Sequence, residues 1–427
     1  MVSAQRNVFP FTVWKDASSA ATAYMEVYFG EQKMIDPDLS EPTVRRSIVQ
    51  GQDELFLVAG GENYQASKSS TGHTLAWIMN REGQVKHVWE YDPEIWSQLE
   101  QVKAAPLNSE VFPVGLHLFD DGSLLANFQG KNCWPYGIGL AKFDKDSNLL
   151  WKKEQLNHHW FTVAEDGSIY TATMRIVESP LQLGNSQAAI ISEDGKITDD
   201  VILILDSGGN VLEEISLLQA FVDSGWIGLF QGATDDNIHA HTGDPTHLND
   251  VRVVSAETAA THELLNKGDM LVSVRSLNAI GILDGKTKLF KWLCAGAALR
   301  QHSPRLVEDG ILLLDNRGGS SATGGSRLIK VDFDSRQPTT VFPPAEVTSY
   351  EFPFSTTVAG HLDLKGDRVL VSLTDRAEIW EVDIAKGQVL WEYVYVDAED
   401  RERRPIYTSK YVGQPTFEFN RNEEQAQ

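Results

Sequence analysis

Cysteine is nearly absent from this chain of 427 residues, which holds only Cys133 and Cys294. The two lie far apart and form no CxxC pair or zinc-ligand spacing, so buried thiols are expected rather than a disulfide framework. No stretch approaches the run of about 20 apolar residues that a spanning helix needs. The start, MVSAQRNVFPFTVW, lacks a basic region followed by an apolar core, so no secretory signal is read there. Two expectations of place follow: cytoplasmic, or periplasmic or extracellular if an export signal or anchor has been trimmed ahead of Met1. Basic charge is also short, with 37 Lys and Arg against 60 Asp and Glu, a formal net charge of -23 and a pI near 4.8. Such a balance repels phosphate backbones and argues against nucleic acid as a partner. Motifs are missing too. There is no GxGxxG after a strand, no P-loop, no GxSxG elbow and no HExxH. No cofactor is implied.

What is present is a globular composition, 42% hydrophobic and 23% charged, and an internal repeat. A chain this long can bury a large core unaided. One signature is an apolar pair, Asp-Gly or a relative, and a β-rich run. It occurs around Gly122, Gly167, Gly268, Gly310 and Gly366. Asp-Gly between apolar runs marks a hairpin, because glycine accepts the positive φ of such turns. The second signature is an apolar run, an Asp, a short Gly/Asn/Lys turn and another apolar run, often ending in Trp. It appears in six copies: Ile78–Tyr91, Ala141–Glu154, Leu203–Ile215, Gly281–Leu293, Ile329–Phe342 and Trp380–Tyr393. Each pair of signatures supplies four short strands, the content of one propeller blade, at spacings near the 40 to 50 residues of known propeller repeats.

The expected fold is therefore all-β: a six-bladed β-propeller of four-stranded blades. It is expected to span residues 51–395, after an N-terminal extension (1–50) and before a C-terminal segment (396–427) that packs on or trails from it. DELFLVAGG (Asp53 to Gly61) stands in for the first copy's missing hairpin. The long gap from Gly167 to Gly268, with the polar SEDGKITDD, reads as insertions on one face. Trp89, Trp151, Trp292 and Trp391 are expected between blades. Two segments read as helical, YDPEIWSQLEQVKAA and EISLLQAFVDSG. A β-sandwich is the rival architecture.

Candidate site residues are polar groups placed in apolar strands. NIHAHTGDPTHLNDVRVV puts His239 and His241, then His247 and Asn249, at period-2 spacing, so each pair shares a strand face. A His-x-His with a third histidine could hold zinc, but no Cys or Glu is placed to join it, and no metal is expected. Arg275 interrupts an apolar strand, which is costly unless it is paired or lines a wet cavity. His302 precedes a proline at a strand entry, and Arg327 follows a Gly/Ser-rich loop, where a guanidinium can grip an oxyanion. His247, Arg275, His302 and Arg327 recur at the same stage of successive blades, which predicts one shared anion-binding site at the channel mouth. In His158–His159 only one ring is expected to point inward, because neighbours on a strand face opposite ways. His361 lies just ahead of a turn.

THLNDV (Thr246 to Val251), LVSVR (Leu271 to Arg275), QHSPRL with ILLLDN, and GGSRLIKVD resemble, in order, motifs of the bacterial aryl-sulfate sulfotransferases and the wider arylsulfotransferase-like propellers. The final repeat, through LWEY, is similar to that group's last blade. The resemblance spans about residues 240 to 395. It implies a six-bladed propeller whose mouth binds a small anionic or phenolic substrate. In that family a histidine takes the sulfuryl group from an aryl sulfate and passes it to a phenol, without a nucleotide donor. By the same resemblance His247, His302 and Arg327 match residues that hold sulfate oxygens. The family's nucleophilic histidine follows the strand that here reads RVLVSL, where this chain has Thr374, Asp375 and Arg376. His361 is the other histidine of that blade, and Arg275, Asn249, His159 and His241 complete the expected site. The alternative is a ligand-binding or protein-interaction propeller without catalysis. Oligomeric state is not readable.

Overall fold

The computed structural model describes residues 39, 41–49, 53–60, 73–100, 111–130, 135–184, 189–192, 195–230, 243–317, 325–344, 354, 356, 359–397, 401–413 and 415–420. His239, His241 and Cys133 lie outside these. The chain enters through β1 (Thr43–Ser47) and then runs through successive antiparallel meanders. The first is β2 (Leu55–Gly60), β3 (His73–Asn80) and β4 (Val85–Tyr91). The second is β5 (Val111–Leu118), β6 (Leu124–Gly130), β7 (Gly137–Phe143) and β8 (Leu149–Glu154). The third holds β9 (His158–Val163) and β10 (Ile169–Glu178), a small hairpin of β11 (Leu181–Gln182) and β12 (Ala189–Ile190), then β13 (Lys196–Leu205) and β14 (Val211–Ser216).

After helix α1 (Leu217–Asp223) comes the fourth, β15 (Leu248–Val253), helix α2 (Ala256–Ala259), β16 (Met270–Val274), β17 (Ala279–Leu283) and β18 (Phe290–Ala295). The fifth is β19 (His302–Val307), β20 (Gly310–Asp315), β21 (Arg327–Asp332) and β22 (Pro338–Phe342). The sixth is β23 (His361–Lys365), β24 (Arg368–Leu373), β25 (Glu378–Asp383) and β26 (Gln388–Val394), followed by β27 (Ile406–Val412).

The arrangement is all-β and propeller-like. The third and fourth meanders share one eight-stranded sheet, joined through the single parallel pair Asp250 and Trp160. Among the described residues the meanders of four strands number six, and their inner strands touch in the cyclic order β5, β9, β15, β19, β23, β27, back to β5. These strands line the axis.

Both signatures are turns of this ring. The first joins each unit's innermost strand to the next one out. Gly122 turns β5 into β6 at φ 81°, and a Cβ there would meet the Phe417 ring at 2.7 Å. The second works through its aspartate. Asp144 accepts from the backbone N–H of Asp146 and Asn148, and Asp206, Asp284, Asp332 and Asp383 cap their own turns likewise. Asx turns of this kind satisfy backbone donors that a hairpin otherwise leaves to water.

The tryptophans clamp neighbouring units. Trp89 donates to the Gly122 carbonyl, Trp292 to that of Phe333 and Trp391 to that of Arg81, each in the following meander. Trp151 differs from expectation in being only half-buried, packed on Gly209 of the next unit.

Four further segments show detail beyond the sequence reading. The C-terminal segment, expected to pack on the ring or trail from it, carries β27, which pairs with β2 as the inner strand of the first unit. β1, within the N-terminal extension, adds a fifth strand outside β26. Half of SEDGKITDD is strand, because β13 begins at Lys196 and pairs along all of β10. The segment YDPEIWSQLEQVKAA forms a short 3-10 turn at Pro93–Trp96, capped by Asp92, and its residues from 101 lie outside those described. No helix among the described residues is long and apolar enough to cross a membrane.

Candidate functional site at the channel mouth

Inner strands all start at the same end of the axis, and three of them start with histidine while a fourth is preceded by one. β9 opens with His158 and His159, β19 with His302 and β23 with His361, while His247 immediately precedes β15. Inter-unit clamps hold these starts in place. Asn127 of β6 donates to the His159 carbonyl (2.7 Å), Asn249 of β15 to that of Gln301 (2.8 Å), and Asn316, after β20, to those of Thr356 (2.8 Å) and Ala359 (3.0 Å). Gly115 makes room for the first clamp, since a Cβ there would stand 2.9 Å from the His159 carbonyl oxygen.

Rings converge at the mouth. Tyr136 lies 5.4 Å from His158, 5.8 Å from His159 and 5.8 Å from His247 between ring centroids, and His159 lies 5.1 Å from His247. Both members of the adjacent pair face inward, against expectation, and their Nδ1 atoms are 2.9 Å apart. The reason is the backbone. His159 adopts φ 57°, a left-handed residue that breaks the strand's alternation. His247 does the same at φ 51°, with its Nδ1 2.6 Å from an Asp244 carboxylate oxygen. Below the rings Trp160 plugs the axis. Its indole meets His302 and His361 at 5.9 Å each, packs with Val114 and donates to Thr408.

Hydrogen-bond partners fix which nitrogens carry protons. Asn316 spends its N–H groups on two carbonyls, so its oxygen faces His302 Nδ1 at 2.8 Å and must accept from it. His302 Nε2 is then a bare lone pair, fully buried and without a hydrogen-bond partner among the described residues. Burial, with the charge of Arg275 second, pushes this ring down to about 3, so it is neutral at ordinary pH. His159 is likewise held well below the usual histidine range, by burial and then by His247. His361 is fully engaged. Its Nδ1 donates to the Ser409 carbonyl (3.0 Å) and its Nε2 accepts from the Arg305 guanidinium (3.0 Å).

Of the sequence candidates, His159, His247, His302 and Arg275 come together. Arg275 is 9% exposed, and burial followed by Arg300 lowers its pKa. Asn249 anchors the wall, its side-chain oxygen buried and unpartnered among the described residues. Arg327 stands apart: its Nε binds Asp315 (2.8 Å) and a terminal nitrogen binds Thr340 (3.0 Å), while the neighbouring Asn316 is the residue that holds His302. Thr374–Arg376 forms a tight turn in which Arg376 pairs with Glu378. Sequence reading missed Tyr136, Asp200, Asp244 and the plug Trp160. Asp244 alone left a signal, three residues ahead of His247. Among the described residues no group of three or more His, Cys, Asp or Glu is arranged to hold a metal ion.

No curated protein matches this chain. Among solved structures it is similar to a protein of unknown function from Bacteroides caccae, at 10% identity and a TM-score of 0.46, covering 85% of this chain and 100% of that one. A putative 6-phosphogluconolactonase from Bacteroides fragilis follows, at 14% identity and a TM-score of 0.43, covering 86% and 99%. At such values neither likeness says what this chain binds. A family model described as arylsulfotransferase (ASST) matches residues 115–396, from the second meander to the end of the sixth. The chain belongs to the arylsulfotransferase family.

Proposed function

We propose that the channel mouth binds an aryl sulfate or a similar small anion and passes the sulfuryl group to a phenol. The carrying observation is the convergence of Tyr136, His159, His247 and Arg275 at one end of the axis, with His247 oriented by Asp244. A carboxylate on Nδ1 fixes the ring's tautomer and orientation and leaves the Nε2 lone pair free to attack. His247 thus takes the nucleophile's place that the Thr374–Arg376 turn leaves without a histidine. His361 does not, because Arg305 holds its lone pair. In the first step the bond from sulfur to the aryl oxygen breaks, the aryl group leaves as a phenolate, and a sulfur–nitrogen bond forms at His247 Nε2. In the second a phenol oxygen attacks sulfur and the sulfur–nitrogen bond breaks. Arg275 supplies fixed positive charge to the transferring oxygens.

The test is incubation with 4-nitrophenyl sulfate, with and without phenol. Phenol-dependent nitrophenol release, abolished in His247→Ala, is the expected result. The second reading, a binding propeller without catalysis, is favoured by the Thr374–Arg376 turn, which has no histidine. No release, with the sulfate ester still raising the melting temperature, would establish that reading instead.

A further inference from the structure

Behind the mouth lies a buried chain of three groups whose proton positions are dictated by their partners. One Asp200 oxygen accepts from the Thr246 hydroxyl and the Leu248 N–H, both at 2.6 Å. The other, Oδ1, has no hydrogen-bond partner among the described residues, and neither has His158 Nε2. These two buried atoms stand 3.5 Å apart. A carboxylate only accepts, so His158 carries its proton on Nε2 and its lone pair on Nδ1. That lone pair faces His159 Nδ1 at 2.9 Å, which must therefore be N–H. His159 Nε2 is left bare. His159 is also the ring nearer the opening, 9% exposed against 0% for His158.

We propose that Asp200, His158 and His159 form a proton relay, with His159 the catalytic base that receives the hydroxyl proton of the phenol acceptor. This rests on the transfer reading above. As the phenol oxygen attacks sulfur, its O–H bond breaks and an N–H bond forms at His159 Nε2. The Nδ1 proton of His159 passes to His158 Nδ1, and the Nε2 proton of His158 passes to Asp200 Oδ1. One proton enters, one is stored, and no oxidant or reductant is needed. The relay has a physical purpose. A cation on His159 would sit in a buried pocket beside His247, His302 and Arg275, whereas a proton delivered to Asp200 neutralises a buried carboxylate. His158 and Asp200 touch no substrate and act as positioning residues.

The experiment measures transfer from 4-nitrophenyl sulfate to two acceptors, phenol and pentafluorophenol, in the wild type, His158→Gln and Asp200→Asn. Phenol must lose a proton to react, whereas pentafluorophenol is already ionised at neutral pH. A relay predicts about a 100-fold loss of kcat with phenol, in the range of general acid–base contributions, and under about threefold with pentafluorophenol. His158→Gln keeps the test alive if Asp200→Asn fails to fold, and melting curves tell the two cases apart. Equal losses on both acceptors would mark the pair as structural and overturn the relay while leaving transfer intact. A wild type that transfers to neither acceptor overturns both readings.

Discussion

The two ends of the channel, divided by Trp160, are built from opposite chemistry. The far end is ionic and its charges are paired, although Asp250 Oδ1 and Arg252 Nε have no hydrogen-bond partner among the described residues. Asp250 binds Arg252 at 2.6 Å and Arg305 at 3.1 Å, Asp363 accepts from the Tyr411 N–H, and Lys410 donates to the Leu116 carbonyl. The histidine end has neutral rings and buried polar atoms with no hydrogen-bond partner among the described residues: both side-chain atoms of Asn157, Asn249 Oδ1, Gln301 Oε1 and His302 Nε2. Native interiors rarely tolerate such atoms unless water, an ion or a ligand completes them. The contrast is one of kind: paired opposite charges close one end, while neutral rings and amides line the end where the ligand is proposed to bind.

The comparison can be broken most forcefully at its divider. Trp160 touches inner strands from several units, so Trp160→Ala is expected to cost about 3–5 kcal/mol, seen as a drop in the denaturation midpoint. A loss below about 1 kcal/mol would mean the ring is not anchored there.

The ends should then respond differently. Asp250→Asn leaves two arginines without their shared carboxylate, at about 3–5 kcal/mol. Asn157→Leu, at the other end, removes an amide with no described hydrogen bond to lose, and a change within about 1 kcal/mol is expected by the same denaturation measurement. Comparable losses would erase the distinction.

Acid provides a graded version. His302 and His87 are both fully buried, with pKa values lowered to about 3 and about 4, chiefly by burial. The unfolded chain binds protons on these rings below about pH 6.5 while the folded chain does not. Stability is therefore complete above that pH and falls as pH drops from about 6.5, by about 1.4 kcal/mol per pH unit for each ring, down to about 4 for His87 and about 3 for His302. Melting temperatures flat from pH 7 to 4 would contradict the buried, neutral rings. The smallest effect belongs to Arg327→Ala. Its pair with Asp315 is partly exposed, so about 1 kcal/mol or less of stability is expected.

Much of the ring was legible in the sequence because its signals are local. Asp-Gly turns and capping aspartates act within four residues, and the outer tryptophans follow from their place at strand ends. The closing strand β27 was not legible, since its partner β2 lies some three hundred and fifty residues away and nothing near Tyr407 announces the pairing. The site divides the same way. His247, Arg275 and His302 stood out as polar groups in apolar strands. The inward turn of both His158 and His159 depended on one left-handed residue that alternation rules cannot foresee. Arg327 read as an anion grip because its carboxylate partner, Asp315, lies across a loop.

Calorimetric titration with 4-nitrophenyl sulfate, comparing the wild type with Arg275→Ala at the histidine end and Lys410→Met at the ionic end, tests most directly which end is the ligand site. The expected result is binding by the wild type and by Lys410→Met, and at least a tenfold weaker affinity for Arg275→Ala. Binding that survives in Arg275→Ala and is lost in Lys410→Met would place the ligand at the wrong end of the channel and contradict the assignment.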